Sequence, residues 1–83
     1  MLNNGIKYWR QKLNKTQQDL ANFLGIPRSL FSIIESGRAI PSLEELEKIA
    51  EFLEVTPGHI YTKEQLNVLF ELEKAEKEKA TKK

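Results

Sequence analysis

The sequence contains no cysteine and only one histidine, His59. Without thiols there is no disulfide framework, and one imidazole with no second histidine or cysteine closes no metal site, so packing alone must hold the chain. No apolar run approaches the roughly 20 residues of a membrane helix. The start, Met1-Leu2-Asn3-Asn4-Gly5, carries no signal-peptide pattern, so the expectation is a cytoplasmic protein with no membrane partner. No stretch alternates apolar and polar residues for long between turn residues, which argues against strands. There is no Ser/His/Asp set, glycine-rich phosphate loop or carboxylate pair placed to define a cleft. An enzyme, a cofactor and a small-molecule ligand are therefore not expected. At 83 residues the chain has room for one small core.

What is present is a separation of charge that the net value of +1 conceals. Residues 1–41 hold Lys7, Arg10, Lys12, Lys15, Arg28 and Arg38 against only Asp19 and Glu35, a net +4. In residues 42–62 Lys48 stands against Glu44, Glu45, Glu47, Glu51 and Glu54, a net −4. A chain polarised in this way can present its first half to phosphates and hold the second half away.

Helix signals recur throughout. Ile6, Trp9 and Leu13 share a side of a helix over about 4–13. Thr16-Gln17-Gln18-Asp19 resembles a capping box, Leu20, Ala21 and Leu24 form the stripe behind it, and Gly25 supplies a left-handed stop. The helical pattern resumes after Pro27 and runs over 28–36, where Gly37 ends it. Ser42-Leu43-Glu44-Glu45 is a full capping box leading into Leu46, Ile49, Ala50 and Leu53. Thr56-Pro57 opens a single turn ending near Tyr61, and Thr62-Lys63-Glu64-Gln65 starts a last helix. That helix is apolar at Leu66, Val68, Leu69, Phe70 and Leu72, whereas residues 73–83 are almost all Lys, Glu and Ala and read as a solvated, fraying end. The expected fold is all-α, with a five-helix unit over 1–61 and an additional C-terminal helix over 62–83.

Two short helices flanking a tight glycine turn form the layout that sets the second helix in a DNA major groove. Projected at about 100° per residue, 28–36 places Leu30, Phe31 and Ile34 on one side, as core. Opposite lie Ser29, Ser32 and Ser36, with Arg28 on one edge and Ile33 on the other. This face is small, polar and free of carboxylates, which suits close approach to base edges and phosphates.

Trp9-Arg10, Thr16-Gln17-Gln18-Asp19-Leu20-Ala21, Leu24-Gly25-Ile26, Arg28-Ser29, Phe31-Ser32, Ile34-Glu35-Ser36-Gly37-Arg38 and Pro41-Ser42-Leu43-Glu44, with Leu46, Ile49-Ala50, Leu53 and Val55, follow one another in order. Over roughly residues 6–61 the chain thereby resembles the Cro/repressor (Xre-type) helix-turn-helix DNA-binding family. The resemblance implies a five-helix domain that binds double-stranded operator DNA as a two-fold homodimer and acts as a transcriptional regulator, here a repressor. It implies base contacts from Arg28, Ser29, Ser32 and Ile33. Phosphate contacts would come from Gln17, Ser36, the Gly37 amide and Arg38, with a structural ion pair between Arg10 and Glu35. Plainer readings stand beside several of these. Gln17 either meets the backbone and braces the recognition helix or only completes a cap. Arg28 is a guanine reader, a phosphate ligand or a solvated arginine. Ile33 either touches a thymine methyl or belongs to the edge of the core. Pro27 departs from the family's usual serine or threonine cap and removes a side-chain phosphate contact. His59 is expected at a surface or a helix end.

The cluster Leu66, Leu69, Phe70 and Leu72 is either part of a dimer interface or the face by which the tail folds back on its own domain. A different class, an antitoxin-like or antirepressor module that holds another protein and binds DNA only secondarily, would dock through the Glu-rich fourth helix and the charged tail.

Overall fold

The computed structural model describes residues 4–81, with side chains placed for residues 4–75. Among the described residues there are six helices and no strand: α1 (Ile6–Lys12), α2 (Gln17–Leu24), α3 (Arg28–Glu35), α4 (Leu43–Leu53), α5 (Pro57–Ile60) and α6 (Lys63–Thr81). None of them is long and apolar enough to cross a membrane.

The helix ends follow from local chemistry. At α2 the Thr16 hydroxyl accepts from Asp19 N at 3.0 Å while the Asp19 carboxylate accepts from Thr16 N at 2.9 Å. These bonds hold the Asp19 carboxyl below the usual carboxylate range. Ser42 and Glu45 exchange the same pair at α4, and Thr62 and Gln65 at α6. At α5 His59 takes the place of the acid, its Nδ1 accepting from Thr56 N at 3.3 Å. This is the helix-end position expected for His59. Gly25 stops α2 at φ 73° and Gly37 closes the corner after α3 at φ 84°, where a side chain would be strained.

One core runs through the helices, with Ile6, Leu20, Ala21, Phe31, Ile34, Leu46, Ile49, Leu53, Ile60, Tyr61 and Leu69 all buried. The N-terminus of α1 docks on α5: Gly5 N donates to Ile60 O at 2.8 Å, and the Trp9 indole N–H donates to His59 O at 3.2 Å. A side chain at position 5 would stand 2.8 Å from that same His59 carbonyl, so the close approach requires glycine.

The C-terminal helix belongs to this core. Leu69 is 1% exposed and Leu66 packs beside it, while the Glu73 carboxylate accepts from Leu43 N at 2.8 Å, satisfying a free amide in the first turn of α4. The two alternatives for the apolar cluster divide here: Leu66 and Leu69 fold back on their own domain, while Phe70 and Leu72 point outward, at 57% and 46% exposure. Glu73, read as the start of a solvated end, is a half-buried tether, and the helix continues to Thr81.

Burial also sets an alkaline limit on the fold. It pushes the Tyr61 phenol up to about 12, a shift the adjacent Asn4 side chain partly opposes. Because the buried group holds its proton more tightly than the unfolded one does, its contribution is fully present below pH of about 10 and is lost as pH rises toward about 12. The urea midpoint of the full chain should therefore fall across that window. In Tyr61→Phe that part of the fall should be absent.

Candidate nucleic-acid interface

The helix pair α2 and α3 is built from residues close in sequence, and α3 is set at the surface. Only Phe31 and Ile34 of its eight residues are buried. Leu30, expected in the core, is instead 40% exposed. The reason is geometric: the domain covers a narrow strip of α3, and at about 100° per residue Leu30 lies past the edge of that strip. Ile33 is 37% exposed, which removes it from the core as well. The open face therefore holds Arg28, Ser29, Ile33 and Ser36, with Ser32 half-buried among them and Leu30 on the far edge.

Behind this face lies a polar network that fixes the helix. Arg10 on α1 donates from Nε to Glu35 Oε2 at 2.8 Å and from Nη2 to Oε1 at 3.2 Å, a two-pronged pair whose side chains are 12% and 7% exposed. Arg10 Nη1 also donates to Lys15 O at 2.9 Å, tying down the α1–α2 turn. Gln17, the first residue of α2, donates from Nε2 to Glu35 Oε1 at 2.8 Å. Its own Oε1 accepts from Arg28 Nη1 at 3.2 Å. A chain of contacts thus runs from α1 through Glu35 and Gln17 to the guanidinium at the first turn of α3. The expected pairing of Arg10 with Glu35 is present in the geometry, and Gln17 has the bracing position.

Asn4, which the sequence marks only as the start of the first helix, also reaches α3. Its Nδ2 donates to Ile34 O at 3.2 Å and Glu35 O at 3.3 Å, and its Oδ1 accepts from Ile6 N at 3.0 Å. One side chain thereby covers the start of α1 and the carbonyl end of α3. An asparagine just before an apolar helical pattern is a helix-start signal; its partners thirty residues away are a matter of tertiary packing.

At the far end of α3 the Ser36 hydroxyl donates to Ile33 O at 2.9 Å and accepts from Arg38 Nε at 3.2 Å. Gly37 is buried and its amide donates to Ile34 O at 3.1 Å. That amide is already spent inside the turn, so the exposed Arg38 guanidinium is the donor this corner offers an anion. Pro27 precedes α3 with no side-chain cap, as its chemistry requires.

Two short helices meeting at a glycine turn, the second exposed along a carboxylate-poor face, define a helix-turn-helix domain. The helix-turn-helix family model matches residues 6–60, and the chain belongs to that family. An uncharacterised helix-turn-helix-type transcriptional regulator of Methanocaldococcus jannaschii is 42% identical over 60 residues, covering 72% of this chain and 91% of the relative. The transcriptional repressor RstR of the cryptic phage CTXphi in Vibrio cholerae is 40% identical over 47 residues, 57% of this chain and 42% of that protein. The chain thus spans nearly all of the first relative and less than half of the second. Among solved structures, SinR, the master regulator for biofilm formation, in complex with DNA matches with a TM-score of 0.56 and 32% identity, covering 63% of this chain and 84% of that one. The chain is a regulator of the helix-turn-helix class and not an enzyme.

Proposed function

We propose that this protein is a sequence-specific repressor that binds a pseudo-palindromic operator as a homodimer, with α3 in the major groove. The observation that carries the reading is the exposed, carboxylate-free serine face of α3, held in place by the network from Arg10 through Glu35 and Gln17 to Arg28. In this docking mode Arg28, Ser29, Ser32 and Ile33 meet base edges, and Arg38, braced by the Ser36 hydroxyl that is itself spent on Ile33 O, meets phosphates together with the first turn of α2 at Gln17. Arg28 serves two ends, since one Nη already touches Gln17 while the rest of the guanidinium stays open to a guanine. The repressor named among the relatives and the regulator solved with DNA support this assignment.

A single recognition helix reads only a few base pairs, and a dimer gains specificity by placing two of them about 34 Å apart on one side of the duplex. The outward apolar side chains of α6, Phe70 and Leu72, support an interface there.

Selection of bound sites from random duplex DNA tests the reading. The expected product is a pair of inverted half-sites spaced one helical turn apart. With four phosphates neutralised per subunit, log affinity for the selected site should fall against log salt with a slope of about −7. A flat salt response, or a pool without any enriched sequence, would contradict it.

A further inference from the structure

The edge of α3 opposite Arg28 is unexpectedly apolar. Leu30 and Ile33 stand at positions i and i+3, so their side chains are neighbours along one edge of the helix, and both remain more than a third exposed. Burial in the core would explain two branched aliphatics on a helix of eight residues, but the core takes only Phe31 and Ile34. Nor is the edge loose: Ile33 O accepts from Ser36 Oγ, Arg38 N and Ala39 N, so the backbone behind it is pinned from three sides. The edge is continuous with the serine face. Ser29 and Ser36 lie between it and Arg28, so one strip of helix presents a cation on one flank and hydrocarbon on the other.

In the major groove the base pairs show donors and acceptors, and the one apolar group they carry is the 5-methyl of thymine. We infer that Leu30 and Ile33 form a methyl-reading edge that seats thymine 5-methyl groups in the operator, while Arg28 addresses the opposite flank. The inference rests on the proposed placement of α3 in the groove and adds a residue, Leu30, and a recognised group to it. The two side chains act as one unit, since a methyl set between them touches both. Covering the pair in the groove gives exposed hydrocarbon a use that solvent does not.

Deoxyuridine tests this cleanly, because it pairs as thymidine does and lacks only the methyl. Duplexes retained by the full-length protein from a random pool are resynthesised with each thymine replaced in turn by uracil, and affinities are measured for the wild type, Leu30→Ala and Ile33→Ala. The wild type should lose about fourfold at one or more thymines for each methyl uncovered. At those same positions the thymine-to-uracil ratio should fall toward one in Leu30→Ala and in Ile33→Ala, while Lys48→Gln, exposed on α4, keeps it. Both residues are exposed, so circular dichroism of the two variants should match the wild type. A ratio of one at every thymine in the wild type would overturn the inference while leaving DNA binding intact. A ratio unchanged in both variants would overturn it too, by assigning the methyl to another side chain. A pool with no enriched duplex would overturn the placement of α3 and this inference together.

Discussion

Glu35→Ala should destabilise the domain by about 3 to 5 kcal/mol, because it strands a largely buried guanidinium whose partner has been removed. In the native domain Glu35 accepts two bonds from Arg10 and one from Gln17, with the carboxylate at 7% exposure. Taking it away leaves Arg10 with the Lys15 carbonyl alone and leaves Gln17 with Arg28 as its contact on α3. For a chain of this size the total stability is on the order of 4 to 12 kcal/mol, so the loss is a large fraction of it. Urea denaturation followed by circular dichroism measures the effect. The mechanism makes a second demand: replacing both partners, Arg10→Met with Glu35→Leu, should recover most of the lost stability, since no charge is then left buried. The double variant should nonetheless bind DNA more weakly than the wild type, because Gln17 and Arg28 lose the anchor that positions them. If the double variant is as unstable as Glu35→Ala, desolvation is not the cause.

Phe31→Ala should be just as damaging, at about 3 to 5 kcal/mol, while Leu30→Ala one residue earlier should stay within about 0.5 kcal/mol of the wild type. The two substitutions remove hydrocarbon from adjacent positions of the same helix. Phe31 is fully buried at the centre of the core, whereas Leu30, at 40% exposure, lies past its edge. The contrast measures how narrow a strip of α3 the domain covers, and thermal unfolding of the two variants reads it directly. Comparable losses would show that Leu30 is covered after all and that the apolar edge is part of the core.

The elements whose signals are local were legible in the sequence. The capping boxes at Thr16 and Ser42 and the glycine stops at Gly25 and Gly37 lie where the spacing predicts, because each depends on residues three or four apart. The glycine turn between α2 and α3 was legible for the same reason. Leu30 was misplaced because periodicity tells which side of a helix is apolar and not how much of that side the rest of the chain covers. The same limit applies to α6, where a single apolar cluster divides into Leu66 and Leu69, packed on their own domain, and Phe70 and Leu72, turned outward. Contacts between distant residues were the least accessible. Asn4 reaching the end of α3, Glu73 reaching the start of α4 and Gly5 against the His59 carbonyl all require the folded chain to bring their partners together. The pairing of Arg10 with Glu35 follows from the family resemblance alone, since a separation of 25 residues has no local signature.

The most direct test of the serine face of α3 as the DNA-reading surface is the affinity of Ser29→Glu for a selected operator. A carboxylate in the first turn of a helix favours the helix, so the fold should be unharmed while negative charge is set against the duplex. Lys48→Gln, exposed on α4, carries the same change in net charge at a site away from α3 and from the outward side of α6. Ser29→Glu should lose at least about tenfold and Lys48→Gln almost nothing. Equal affinities for the two variants would contradict that role of the serine face.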